Sequence, residues 1–331
     1  MKEIGLNKVV QIIDQADNIL ILGHVNPDGD CVGSMAALSL GLQSTGKKIA
    51  VWSDEPLPQK YRFIEMEFEK PCNASADELD LIIVVDTAVE TRIGANLDFN
   101  HTKVPILAID HHISVENNFT YIHADQSYAA TGCIIFEILK LLKIEISKSI
   151  AEAIYAAIIT DTGCFAYSNT NYRTFEITLE LLKAGINTSE ITSIIYNSHS
   201  PEYIRILGAA LNSLELISDG AGAIMYVSSE MISRENLTNF DTEDFVNYPR
   251  SIMTVKVACM ITESPDSDTL RLSLRSKTED YNVSKLARLF NGGGHKCASG
   301  ARIKESLFEF IPRLRKELEN FLKIEHKKLN K

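Results

Sequence analysis

Short apolar runs alternate with stretches in which apolar residues recur every three or four positions along the first half of the chain. The short runs read as buried strands: Asn18 to Gly23, Lys48 to Ser53, Asp80 to Asp86 and Val104 to Asp110. The longer stretches read as helices at Asn7 to Ala16, Asp30 to Thr45 (stopped by Gly46), Ala130 to Leu142 and Ser149 to Thr160. Strands alternating with helices predict a parallel α/β sheet. Glu176 to Ala210 reads as mostly helical and joins the halves. Beyond it, Gly222 to Ser228, Met253 to Thr262, Thr269 to Lys277 and Ala301 to Lys304 are strand-like, with helices expected at Asn282 to Phe290 and Leu307 to Lys323.

The expected fold class is therefore α/β, in two parts. A parallel-sheet domain is expected over 1–190, a helical linker over 191–215 and a smaller α/β domain over 216–325, with the boundary near Ser189 to Ser213. A length of 331 residues also predicts two domains.

Composition narrows the function classes. Hydrophobic residues make up 45% and charged residues 23%, enough for an ordinary globular core. Only the lysine-rich tail, Glu325 to Lys331, is expected to be disordered. The opening Met-Lys-Glu-Ile-Gly-Leu lacks the pattern of a signal peptide. No run approaches the roughly 18 apolar residues of a membrane helix. A cytoplasmic protein without a membrane partner is the expectation. The six cysteines, Cys31, Cys72, Cys133, Cys164, Cys259 and Cys297, show no paired CxxC spacing, so reduced, packed thiols are expected. A net charge of −11 argues against tracking long DNA or RNA, where affinity comes largely from cations on phosphates. It leaves room for a small anionic substrate.

The ends of the apolar runs carry the chemistry. The first leads into His24-Val-Asn-Pro-Asp28-Gly-Asp30, another ends at Asp86, and another at Asp110-His111-His112. Asp161 follows the helix Ser149 to Thr160. In open α/β sheets, ligands lie beyond the carboxyl ends of the strands, so these residues are expected to converge. Each alone has a plainer reading: a Pro-Asp-Gly turn, a helix-capping aspartate, a surface histidine pair. Together they suit a pair of divalent transition ions sharing a carboxylate bridge, for which Asp86 is placed alone at its strand end.

The ordered set of motifs resembles the DHH phosphoesterase family, named for the triplet that stands here as Asp110-His111-His112. His24 to Ser34 is similar to its first motif, Val84-Val-Asp-Thr87 to its second and Thr160-Asp-Thr-Gly163 to its fourth. Gly292-Gly293-Gly294-His295 followed by Ala298-Ser-Gly300 resembles the signature of the DHHA1 substrate-binding domain. The resemblance implies one metal ion held by His24, Asp28 and Asp86, and a second by Asp30, Asp86, His111 and Asp161. Manganese is the first expectation, with magnesium and cobalt as alternatives. Asp110 would orient a histidine, and His112 would face the scissile phosphate. The second domain would hold the nucleotide while the first cuts.

The segment Arg271 to Lys304 is locally basic in an acidic chain, which marks it for substrate phosphates. Arg275, Ser276, Gly292, Gly293, Gly294 and His295 are the expected substrate contacts. A lone Gly-Gly-Gly would more simply be a helix-to-strand turn; its neighbours and the resemblance favour the functional reading. Among family members, two-domain chains of this size resemble the nanoRNases, which degrade very short RNA, some also dephosphorylating 3′-phosphoadenosine 5′-phosphate. The alternatives are a phosphodiesterase acting on cyclic di-AMP or linear pApA, and a nucleotide-binding sensor without turnover. The resemblance also raises the expectation of a homodimer through the first domain.

Overall fold

The computed structural model describes residues 2–66, 68, 79–94, 102–112, 118–236, 242–264 and 269–329. They form two compact units, Met1–Ser198 and His199–Lys331.

The first unit holds strands β1 (Lys2–Glu3), β2 (Asn18–Leu22), β3 (Lys48–Trp52), β4 (Leu81–Val85), β5 (Ile106–Asp110) and β6 (Tyr121–Ala124). They pair in the order β1-β6-β5-β4-β2-β3, and every pairing among these described strands is parallel. The chain leaves β2 toward β3 on one side and resumes with β4 on the other, so the order reverses at the β2/β4 pair. That is the switch point where a ligand crevice opens. β4 is buried along its whole length. Its alternation sends Leu81, Ile83 and Val85 into the helix-covered core and Ile82 and Val84 into a second cluster on the opposite face.

Helices α1 (Leu6–Gln15), α2 (Gly29–Gln43), α3 (Thr131–Leu141), α4 (Lys148–Asp161), α5 (Tyr172–Lys183) and α6 (Thr188–Tyr196) complete this unit. Nearly every residue of α2 is buried, because the helix lies among β2, α3 and α4. Its approach to α4 depends on Gly33: a Cβ there would lie 2.3 Å from the Ala153 carbonyl oxygen. This close crossing brings the acidic start of α2 beside the acidic end of α4.

The second unit holds α7 (Pro201–Asn212), β7 (Glu215–Ile217), β8 (Gly222–Val227), α8 (Ser229–Arg234), α9 (Asn247–Ser251), β9 (Val257–Glu263), β10 (Leu270–Ser276), α10 (Val283–Arg288), β11 (Gly293–Gly294), β12 (Ala298–Ile303) and α11 (Leu307–Leu329). Its sheet runs β11-β12-β10-β9-β8-β7 and is mixed: β8 and β9 are parallel, the other described pairs antiparallel. One face is covered by α10 and α11 through residues such as Leu286, Phe310 and Leu318, the other by α7 and Phe245.

Several expectations need correction. The tail is helical through Leu329, and Glu325 is buried, bonded to Lys285 at 3.3 Å and Lys328 at 2.7 Å. A strand was expected from Met253, but residues 253–256 form a turn and β9 starts at Val257. The segment expected as a linker is shared between two cores: α6 buries Ile191 and Ile195 in the first, and α7 buries Ile206, Leu207 and Ala210 in the second. Among the described cysteines all are free thiols, and Cys72 lies outside the described residues.

Candidate metal centre

Four chain segments deliver the site, each by a local cause. After β2, Asp28 adopts an extended backbone and caps α2, its Oδ1 accepting from the amides of Asp30 and Cys31 at 3.1 Å each. Asp86 directly follows β4, and its φ of 63° lies in the left-handed region. That conformation costs an L-residue about 1–2 kcal/mol, and such strain concentrates where a side chain must be aimed. β5 ends at Asp110, followed directly by His111 and His112. Asp161 is the last residue of α4.

His24 Nδ1 lies 2.8 Å from the Val25 carbonyl oxygen. A carbonyl only accepts, so Nδ1 carries the proton and Nε2 is the nitrogen turned to the site. Nε2 stands 3.3 Å from Asp86 Oδ2 and 3.7 Å from Asp28 Oδ1. The other Asp86 oxygen, Oδ1, faces His111 Nε2 at 3.7 Å and His112 Nδ1 at 3.6 Å. His111 Nε2 also lies 3.6 Å from Asp30 Oδ2 and 3.5 Å from Asp161 Oδ2. The two oxygens of Asp86 therefore look into two different donor sets.

These donors fit divalent cations. His111 Nε2 is buried without a hydrogen-bond partner, yet three carboxylate oxygens surround it just beyond hydrogen-bond range. Imidazole and carboxylate oxygen in this mixture suit a divalent metal ion, and a cation relieves the repulsion among the acids. Burial and the charges of Asp86, Asp161 and Asp28 push Asp30 well above the ordinary carboxylate range. Asp161 is pushed up to about 7, by burial and by Asp86 and Asp28, with His111 opposing. Asp28 moves down despite its burial, because His24 and the Cys31 amide favour its charged form. His24 is held upward: its burial opposes this, but Cys31, Asp28 and Asp86 outweigh it.

His112 is held differently. Its Nδ1 donates to Asp110 Oδ1 at 2.6 Å, and its backbone amide donates to the same oxygen at 3.0 Å. Burial acts to lower its pKa, but Asp110 and Asp86 raise it to about 9. Asp110 in turn is lowered by these bonds from His112, against the effect of its burial. With Nδ1 committed to Asp110, Nε2 is the nitrogen that can address an anionic oxygen.

Residues outside the expected set also touch the donors. Thr131 and Gly132, opening α3, bond to Asp30 and Asp86. Asn169 Nδ2 donates to Asp161 Oδ2 at 3.3 Å and to the carbonyls of Asp161 and Ala129 at 3.1 and 2.9 Å. Cys31, expected only as a packed thiol, is buried and accepts the His24 amide at 3.3 Å. Its thiol pKa is pushed up, chiefly by burial. No motif marks Thr131 or Asn169; only the folded contacts identify them.

In the second unit, Arg275 lies on β10 opposite Ala298 of β12, and its Nη1 donates to the Leu274 carbonyl at 3.2 Å. Ser276 is buried, its hydroxyl spent on the Thr278 carbonyl at 3.0 Å. The Gly292 amide is likewise spent on the Ala287 carbonyl at 2.9 Å, and a Cβ at Gly292 would lie 2.1 Å from the Gly300 oxygen. Gly293 has open space where a Cβ would stand, and Gly294 has a φ of 134°. His295 is exposed, with its amide bonded to the Ala298 carbonyl at 2.7 Å. Arg275, Gly293, Gly294 and His295 thus gather at one end of the sheet, with Ser276 the last residue of β10 and Gly292 in the turn after α10.

Buried imidazole and carboxylate donors at the switch point of a parallel sheet define a class, the metal-assisted hydrolases of α/β fold. Residues 18–158 match the DHH family, N-terminal domain, and residues 221–324 match the DHHA1 domain. A Streptococcus mutans relative is 30% identical over 310 residues, covering 93% of this chain and 96% of its own. The bifunctional oligoribonuclease and PAP phosphatase NrnA of Thermus thermophilus is 29% identical over 293 residues, covering 86% of this chain and 84% of its own. The crystal structure of an exopolyphosphatase-related protein from Bacteroides fragilis superposes with a TM-score of 0.89 at 27% identity, covering 97% of each chain. The chain belongs to the DHH phosphoesterase family and carries a DHHA1 domain, which makes it a hydrolase of that family.

Proposed function

We propose that this protein is a two-metal phosphoesterase that hydrolyses short oligoribonucleotides and 3′-phosphoadenosine 5′-phosphate. The single observation that carries the two-metal reading is Asp86, one oxygen of which faces His24 while the other faces His111 and His112. His24, Asp28 and Asp86 would hold one ion, and Asp30, Asp86, His111 and Asp161 the other. When bound, such ions neutralise phosphoryl oxygens and acidify a water, for which manganese suits the donors best.

The chain's own residues do the rest. Asp110 fixes the imidazole of His112 and keeps it protonated, so that His112 Nε2–H can donate to a phosphoryl oxygen as charge builds there. The amides at the start of α2 hold Asp28 itself, which fixes the carboxylate that would join His24 on one ion. In the second domain Arg275 and His295 supply charge-assisted contacts to a substrate phosphate, and Gly293 lets backbone approach it. Similarity to the Thermus thermophilus oligoribonuclease and PAP phosphatase supports the substrate class, as does a net charge of −11 that disfavours long polymers.

The test is a comparison of manganese-supported rates on a five-nucleotide RNA, 3′-phosphoadenosine 5′-phosphate, pApA and cyclic di-AMP. Highest kcat/KM on the first two is expected. Turnover confined to cyclic di-AMP or pApA would assign the substrate elsewhere, and binding without turnover of any of them would make the protein a sensor.

A further inference from the structure

Thr131 is fully buried at the first position of α3. A helix start leaves backbone N–H groups without partners, and a capping side chain usually takes them. The N-cap residue here is Ala130, which offers no such side chain. Asp30 does the capping instead, from 101 residues away on α2. Its Oδ2 accepts the Thr131 amide at 2.6 Å, and its Oδ1 accepts the Gly132 amide at 2.9 Å. The Thr131 hydroxyl meanwhile donates to Asp86 Oδ1 at 2.9 Å. One residue holds two carboxylates, one by main chain and one by side chain.

The oxygens it holds are the ones that matter at one subsite. Asp30 Oδ2 and Asp86 Oδ1 both face His111 Nε2, at 3.6 and 3.7 Å. The other Asp86 oxygen faces His24 and is not the acceptor of this bond. A carboxylate oxygen has two lone pairs, so a bond from Thr131 occupies one direction and aims the other. A threonine deeper in a helix could give its hydroxyl to the carbonyl four residues back. At the first helical position no preceding turn exists, and the hydroxyl reaches across to Asp86.

We propose that Thr131 is a positioning residue for the ion site formed by Asp30, Asp86, His111 and Asp161. It sets the direction from which Asp30 and Asp86 meet the cation, and it does not act on the His24 side of Asp86. The inference rests on the two-metal reading above.

Metal-free protein titrated with Mn2+ by calorimetry and electron paramagnetic resonance tests it. Thr131→Val keeps the shape and the amide but removes the hydroxyl donor, and Thr131→Ser keeps the donor. Wild type is expected to bind two ions. Thr131→Val should hold one as tightly and the other about 10–100-fold more weakly, the usual loss when a residue supporting a ligand is removed. Its turnover should recover as manganese is raised, and Thr131→Ser should restore wild-type affinity. A purely structural hydroxyl would instead lower the melting temperature of the chelated protein and leave both affinities alone. Two undiminished affinities in Thr131→Val, or a serine variant as weak as the valine one, overturn the role of Thr131. A wild-type chain that fails to bind an ion pair overturns the two-metal reading and this inference with it.

Discussion

Asp86 carries more of the account than any other side chain, because its two carboxylate oxygens face different donor sets. Its left-handed φ of 63° turns the carboxylate between two donor sets instead of along the strand direction. Asp86→Ala should leave turnover below about 1% of wild type, since both ions lose a ligand. Near-normal steady-state rates would contradict the bridge. Arg275→Ala should act on binding, raising KM about 10-fold or more with kcat little changed, as befits a charge-assisted contact of about 1.5–3 kcal/mol. An unchanged KM would remove Arg275 from the substrate site. At this scale, His24, Asp86, Asp110, His111 and Asp161 were legible because acidic or imidazole residues end apolar runs. Thr131 was not, because its significance lies in contacts 45 and 101 residues distant in the chain. The partner of Asp110 was equally hidden: only the fold shows that it holds His112.

The elements converge on the site through one close helix crossing. α2 brings Asp28 and Asp30, α4 brings Asp161, and Gly33 sits where a Cβ would strike the Ala153 carbonyl. Gly33→Ala should destabilise the protein by about 1–3 kcal/mol, the usual cost of overpacking, and also weaken Mn2+ binding. Denaturant melts and calorimetry would check the two effects, and loss of stability with unchanged metal affinity would mean the crossing does not position the site. β2 to β5 are legible as short continuous apolar runs, and α1 to α4 as longer stretches with apolar residues every three or four positions. β1, β7 and β11 span two or three residues and offer no period to read. β6 mixes Tyr121 and His123 with Ile122 and so presents no continuous apolar run. The continuation of α11 past Lys323 is not legible in the sequence, because its lysines resemble a solvated tail, while Glu325 pairs with Lys285.

At the scale of the whole molecule, the buried acids link stability to pH and metal. Asp161 is raised to about 7, Asp30 is raised well above its ordinary value and His112 is raised to about 9. Without metal the folded chain therefore binds more protons than the unfolded chain above about pH 4, and stability must fall as pH rises toward 7 and beyond. Melting temperatures in chelator should decline from pH 5 to pH 8, and saturating Mn2+ should reverse the trend by displacing those protons. A chelated protein that grows more stable across that range would contradict the charge balance drawn here. Among the described residues no helix is long and apolar enough to cross a membrane. Anomalous diffraction from crystals soaked in Mn2+ is the most direct test of the central claim. Two peaks about 3.5–4 Å apart on either side of Asp86 are expected. A single peak, or metal bound away from His24, Asp86 and His111, would contradict it.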